Sequence, residues 1–281
     1  MNLIVDHVCY GTSDLPKMQR KFSVLGLTSV YGGAHASVTH MGIVGFADGS
    51  YLELIAPEQP DRPMPTDQRW GKLMLENAGP CGWAVRVPNL KAELDRLRQT
   101  GTSVAGPFSG RRTKPDGKCL RWETGWTVPG DPGSLLPFNI SDITSLRDRV
   151  TVASSALNRA FVGVSKVLIG VSDLPSSIRQ FQEVYDLGDP DVSHNELFSA
   201  EIAFFPQSPV ILARPLGSSG WLSERISRYG NRPFAFLLAT NDLTKAVRDF
   251  ALSKRLLLRE HQTAWFDPDL LGGFRLGAVQ L

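Results

Sequence analysis

Two side chains set the chemistry open to this sequence. Glu53 lies in Ser50-Tyr51-Leu52-Glu53-Leu54-Ile55-Ala56-Pro57, a short β-prone run that is apolar and aromatic apart from that one carboxylate. Burying an ionised carboxylate among Leu, Ile and Tyr is costly unless a cation or hydrogen-bond donors meet it. His7, in the first β-prone run (3–12), is the expected partner. Side chains alternate along a strand, so Tyr51, Glu53 and Ile55 share one face, and Cys9 shares a face with His7. An imidazole and a carboxylate together suit Zn²⁺, Fe²⁺, Mn²⁺ or Ni²⁺. Without a metal, the same two groups would hydrogen-bond each other, neutral or as an ion pair.

The elements that must position this pair recur along the chain. After the first run, Ser13 or Asp14 can cap a helix that tolerates Pro16 in its first turn and carries Met18, Phe22 and Leu25 on one face. Strand-like pieces follow near 27–31, 38–47 and 51–56, with Gly32-Gly33 and Asp48-Gly49 supplying turn chemistry between them. The unit reads β-α-β-β-β. A proline-rich connector, 57–65, precedes a second copy: a strand over 81–88, Asn89 as cap, a Leu90, Leu94, Leu97 helix face, and strands near 102–106, 118–124 and 135–140. A third copy repeats Ser-Asp-Leu-Pro at 172–175, and a fourth starts at 233 with Asn241-Asp242-Leu243 before its helix. Recurrence at about 70–85 residues is the main organisational signal. Strand-rich units with one helix each predict an α+β fold rather than a doubly wound parallel sheet.

The 281 residues suffice for two domains, expected over 1–142 and 161–281 with a linker over 143–160. Thirty basic against 28 acidic residues, a net charge of +2, argue against nucleic acid or an anionic membrane as partner. No apolar run approaches a membrane span, and the first residues do not resemble a signal peptide. Three cysteines without close pairing predict reduced thiols and a cytoplasmic location. No nucleophile elbow, P-loop or dinucleotide fingerprint occurs.

Four tandem βαβββ units resemble the vicinal oxygen chelate superfamily, which includes glyoxalase I, extradiol dioxygenases and fosfomycin-resistance proteins. The first half most resembles its glyoxalase-like domain. The resemblance is carried by Asp6-His7-Val8, Gly32-Gly33-Ala34-His35, Thr39-His40 and Asp48 to Leu54, continued by Gly110-Arg111, Pro115-Asp116-Gly117 and Leu136-Pro137-Phe138. It implies paired units forming U-shaped mixed sheets, helices on the outer face, and a divalent metal held by strands one and four of each unit. His7 and Glu53 fill the first unit's two places. Gly82 and Phe138 stand in the second unit's, Lys166 and Ile211 in the third's, and Ala235 in the fourth's first. Half of one metal site is therefore present, with His35 as a third ligand, His40 a weaker one, and a Cys9 thiolate geometrically possible.

Arg86 shares strand parity with Gly82 and is expected to point into the same cleft. Arg111, Arg121 and Trp122 lie on or beside strands of the second unit, and arginines in a cleft suit a carboxylate or phosphate. Tyr51 could donate its hydroxyl to a ligand; Trp83, of opposite parity to Arg86, is expected in the core. Two readings follow. One is a metal-assisted lyase, isomerase or dioxygenase acting on a small oxygenated molecule, with Glu53 and His7 catalytic. The other is a metal-free protein that binds or sequesters a small molecule. In both the partner is a small molecule, and a homodimer is one oligomeric option. The second half, having lost its ligands, is expected to bind no metal and to buttress or cover the first.

Overall fold

The structure, a computed structural model, describes residues 3–35, 38–65, 70–150, 160–253, 256–258 and 260–281. All four units form. The first comprises β1 (Val5–Gly11), α1 (Leu15–Val24), β2 (Val30–His35), β3 (Thr39–Gly45) and β4 (Tyr51–Pro57). The second comprises β5 (Gly79–Arg86), α3 (Leu90–Gln99), β6 (Val104–Thr113), β7 (Cys119–Thr127) and β8 (Phe138–Asp142), preceded by the short α2 (Gly71–Leu75). After α4 (Leu146–Arg149) come β9 (Gly163–Gly170), α5 (Leu174–Tyr185), β10 (Asp191–Asn195), β11 (Ala200–Phe204) and β12 (Val210–Pro215). The last unit, entered through α6 (Trp221–Tyr229), has β13 (Arg232–Thr240), α7 (Leu243–Asp249), β14 (Leu256–Leu258), β15 (His261–Trp265), α8 (Pro268–Leu271) and β16 (Arg275–Gln280).

The repeat is enforced locally. Each unit's helix begins at an Asx residue whose side chain accepts from the backbone N–H three positions on: Asp14, Asn89, Asp173 and Asp242. Such a cap satisfies a donor the helix cannot, and is worth about 1 kcal/mol. Behind the cap, Leu15, Met18 and Phe22 in α1 and Leu90, Leu94 and Leu97 in α3 are buried against the outer faces of the sheets.

Within each unit the first strand runs parallel to the last, as in β1 with β4 and β9 with β12. The halves differ in how two units join. In the first half, β1 pairs with β5 and β2 with β6, closing a barrel in the order β1-β4-β3-β2-β6-β7-β8-β5. In the second, the described strands join the two units only at β9 and β13, leaving an open eight-stranded sheet edged by β10 and β14. The two sheets pack back to back. Val8, Tyr10, Leu52, Leu54, Trp83 and Val85 belong to the same buried cluster as Val167, Ile169, Leu212, Phe236 and Leu238. Tyr10 meets Phe236 edge-on at 5.3 Å between ring centroids, and Trp83 lies against Phe181, in the core as its parity predicts. Arg225 of α6 donates to the carbonyls of Ala78, Pro80 and Pro233, and Arg232 to that of Cys81, tying the second half to the entry of β5. No described helix is long and apolar enough to cross a membrane.

The Gly32-Gly33 pair does not make a turn. It lies inside β2, where the register with β3 shifts between Tyr31 and Gly33. At Gly33 φ is +113°, and a Cβ there would meet the Thr113 carbonyl. A Cβ on Gly32 would strike the Met41 sulfur and the Arg112 guanidinium. The doublet lets β2 come close enough to β6 to complete the barrel, setting His35 across from Arg112.

Candidate active site

Alternation along β1 and β4 sends Val8, Tyr10, Leu52 and Leu54 to the shared core and His7, Cys9, Tyr51, Glu53 and Ile55 into the barrel. There His7, Tyr51, Glu53 and Ile55 line one side of a cleft of about 290 Å³, with Cys9 fully buried beside Glu53. His7 Nε2 lies 3.3 Å from Glu53 Oε2, the Cys9 thiol donates to the same oxygen at 3.5 Å, and His35 Nε2 stands 3.7 Å from Glu53 Oε1. His7, Cys9 and Glu53 each bring a ligand-capable atom within 4.8 Å of the others. His40 faces away and packs against Tyr31.

Asp6 has the wrong parity for this face, yet it reaches it. The register of β1 against β5 shifts between Val5 and His7, so Asp6 is the extra residue of a bulge. Its carboxylate accepts from His7 Nδ1 at 2.6 Å, fixing the imidazole with Nε2 toward Glu53. Arg149, from α4 in the connector, grips Asp6 with both Nη groups at 2.9 and 2.7 Å, Asp142 through Nε and Nη2, and the Tyr51 hydroxyl at 2.8 Å. Burial raises the Asp6 pKa, but the His7 hydrogen bond and Arg149 outweigh it, so the carboxyl stays ionised far below the usual range. Burial pushes the Cys9 thiol well up, helped by Glu53, and likewise the Tyr51 phenol, so both keep their protons at neutral pH. Burial lowers the His35 pKa against the pull of Glu53.

The donor set fits a divalent metal. A nitrogen oriented by a carboxylate, a carboxylate oxygen and a sulfur lie together, with the His35 nitrogen near the other oxygen of Glu53, and a bound cation would draw off the thiol proton. Every one of these donors comes from the first unit. Across the cleft, Trp70 sits against Gly82, its ring 2.9 Å from where a Cβ would be, and Phe138 meets His7 edge-on. A side chain at 82 would displace that indole.

The other residues singled out from sequence divide. Tyr51 stacks on the His7 ring at 4.7 Å, and Trp122 lines the cleft beside His35. Arg86 does not line it: at the end of β5 its side chain turns to Asp6 and the Gly49 carbonyl. Arg111 and Arg121 pair across β6 and β7 on the exposed face. The hairpin turn at 114–117 fixes this register, so Arg112, opposite Leu120, is the arginine that points inward. Arg112, Arg149, Asp6, Trp70 and Trp126 were not singled out. The turn position and the apolar Leu120 carried a signal for Arg112. Nothing local marks Arg149, which reaches the site from outside the repeat.

The whole chain superposes on two solved structures that share little of its sequence. One is a hypothetical protein from Staphylococcus aureus (TM-score 0.66, 13% identity, covering 99% of this chain and 100% of that one). The other is a mutant 4-hydroxymandelate synthase from Streptomyces coelicolor (TM-score 0.65, 12% identity, covering 100% and 93%). Methylmalonyl-CoA epimerase from Mycobacterium tuberculosis matches over 46% of this chain and 92% of its own at 17% identity, with a TM-score of 0.38. No match was found among curated proteins. Paired βαβββ units around such a cleft define a member of the vicinal oxygen chelate superfamily. Within it, the model of the glyoxalase-like domain matches residues 5–185, well over half of the chain, and the protein belongs to that family. The match runs through the connector that carries Arg149.

Proposed function

We propose that the first half is an enzyme site that moves a proton on a small oxygenated molecule, with Glu53 as proton carrier and a divalent metal as cofactor. The observation that supports this most is the clustering of His7, Cys9 and Glu53, with His35 on the other Glu53 oxygen and Asp6 orienting His7. His7, Glu53 and His35, with Cys9 beside them, would hold the metal, which when bound supplies a Lewis acid for a ligand oxygen. Glu53 offers a carboxylate oxygen to an acidic C–H or O–H of the ligand. Tyr51 accepts from Arg149, which leaves its own proton to donate to a ligand oxygen. Trp70, Trp122 and Trp126 give the cleft apolar walls that limit water there.

Elemental analysis of protein purified without chelator or affinity tag tests this reading. One divalent metal per chain is expected, lost in Glu53→Gln, with the variant within about 1 kcal/mol of the metal-stripped wild type in stability. A metal-free wild type together with a large loss of stability in the variant would make the pair structural. The second reading, a metal-free binding protein, is favoured by the wall opposite Glu53: Trp70, Phe138 and Ile140 offer no metal ligand.

A further inference from the structure

Arg112 is the cleft-lining arginine that forms no ion pair among the described residues. It is 2% exposed. One Nη contacts the Met41 thioether, a weak acceptor, and the other donates to the Arg149 carbonyl at 2.6 Å, while Nε has no partner. No carboxylate among the described residues forms an ion pair with it. Arg149, by contrast, has Asp6 and Asp142. A buried guanidinium with an idle N–H is costly to keep, and burial already lowers the Arg112 pKa. Such a group is accounted for if an anion from outside completes it.

We infer that the ligand of this cleft is a small carboxylic acid on a flat, apolar body, and that Arg112 is its carboxylate anchor. The inference deepens the reading proposed above and rests on it for the location of the site. Three features narrow the class. First, Arg112 is a single guanidinium with two of its five N–H groups already engaged, which suits a monoanionic carboxylate better than a phosphate dianion needing several donors. Second, Trp70, Trp122, Trp126 and Phe138 line the remaining space, and about 290 Å³ is at the small end of ligand pockets, room for a single substituted ring. Third, Arg112 pairs across β6 and β2 with His35, whose Nε2 approaches Glu53. A carboxylate held at Arg112 therefore places the neighbouring carbon toward Glu53, while His35 separates the two negative groups.

The experiment uses the full chain and three probes of one shape: phenylacetate, phenylacetamide and phenyl phosphate, titrated by calorimetry. Phenylacetate is expected to bind at least ten-fold more tightly than its amide and more tightly than the phosphate. Arg112→Met should weaken the acid at least ten-fold and the amide less than two-fold, with Arg112→Lys intermediate. Equal binding of acid and amide, tighter binding of the phosphate, no binding of any probe, or an Arg112→Met protein that keeps its preference would each overturn the inference. Should Arg112→Met fail to fold, the acid-to-amide ratio of the wild type and of Arg112→Lys decides it. In Glu53→Gln the acid preference should persist, so the anchor can stand even where the proton chemistry falls.

Discussion

The two halves are built from the same repeat, and they have spent their interiors differently. In the first, closure through β2 and β6 encloses a cavity and gathers Asp6, His7, Glu53, Arg112 and Arg149 there. In the second, the corresponding inner face is packed with Leu168, Phe198, Ile202, Phe204, Ile211, Phe234 and Trp265. Lys166, in the place of His7, donates to the Ser208 carbonyl and lies over the Phe204 ring, and burial lowers its pKa. An interior can be filled with apolar side chains or left hollow with paired charges around it, and the same backbone accepts either. What the hollow version needs is outside support, and the shared core on the convex faces of β1 and β5 supplies it.

Removing residues 161–281 should therefore have the largest effect. A fragment of residues 1–160 would expose Tyr10, Trp83 and Val85 on its back, and aggregation on expression is expected. A soluble fragment that binds every ligand of the whole chain would show that the hollow half stands alone.

Arg149→Met comes next. It strands Asp6 and Asp142 without their main cation, and a loss of about 3–5 kcal/mol is expected in urea denaturation. A loss under about 1 kcal/mol would mean that Arg86 and His7 suffice for Asp6.

Ile211→Glu places a carboxylate at the second half's counterpart of Glu53, with Lys166 standing where His7 stands in the first half. We expect a loss of about 2–3 kcal/mol, because the surrounding face is apolar and Lys166 must give up the Ser208 carbonyl to meet the new group. An unchanged melting temperature would erase the distinction between the two interiors.

The smallest effect concerns pH. Because the folded state holds His35 below its ordinary pKa, the unfolded chain binds its proton first as pH falls. This group's share of stability is thus present above about pH 6.5 and is lost as the pH drops below it. His35→Gln should flatten the stability profile between about pH 7.5 and 5.5; an identical slope in the variant would remove His35 from the account.

Much of the scaffold was legible because its signals are local. Asx caps, helix faces such as Leu90, Leu94 and Leu97, and Gly or Pro at the breaks place all four units. His7 and Glu53 were legible because strand parity and the family pattern agree on them. What failed was parity across irregular backbone. A bulge turns Asp6 inward, a second one keeps Gly32-Gly33 within a strand, and Arg86 at a strand end swings to Asp6 instead of the cleft. Arg149 lay beyond any local rule, because Asp142 is its one partner near in sequence and the site groups it holds, Asp6 and Tyr51, are 143 and 98 residues away.

The seating of Trp70 on Gly82 has a consequence for how relatives of this chain can differ. A glycine at 82 admits the indole, and even a Cβ there would come within 2.9 Å of it, so the ring must shift before position 82 can change and a large side chain there cannot share the space. A lineage with a histidine at 82 would have to give up the tryptophan at 70, or acquire both changes together. Sequences of the family should then fall into two groups, glycine with a large aromatic or a ligand with a small residue, and the intermediate pairings should be scarce.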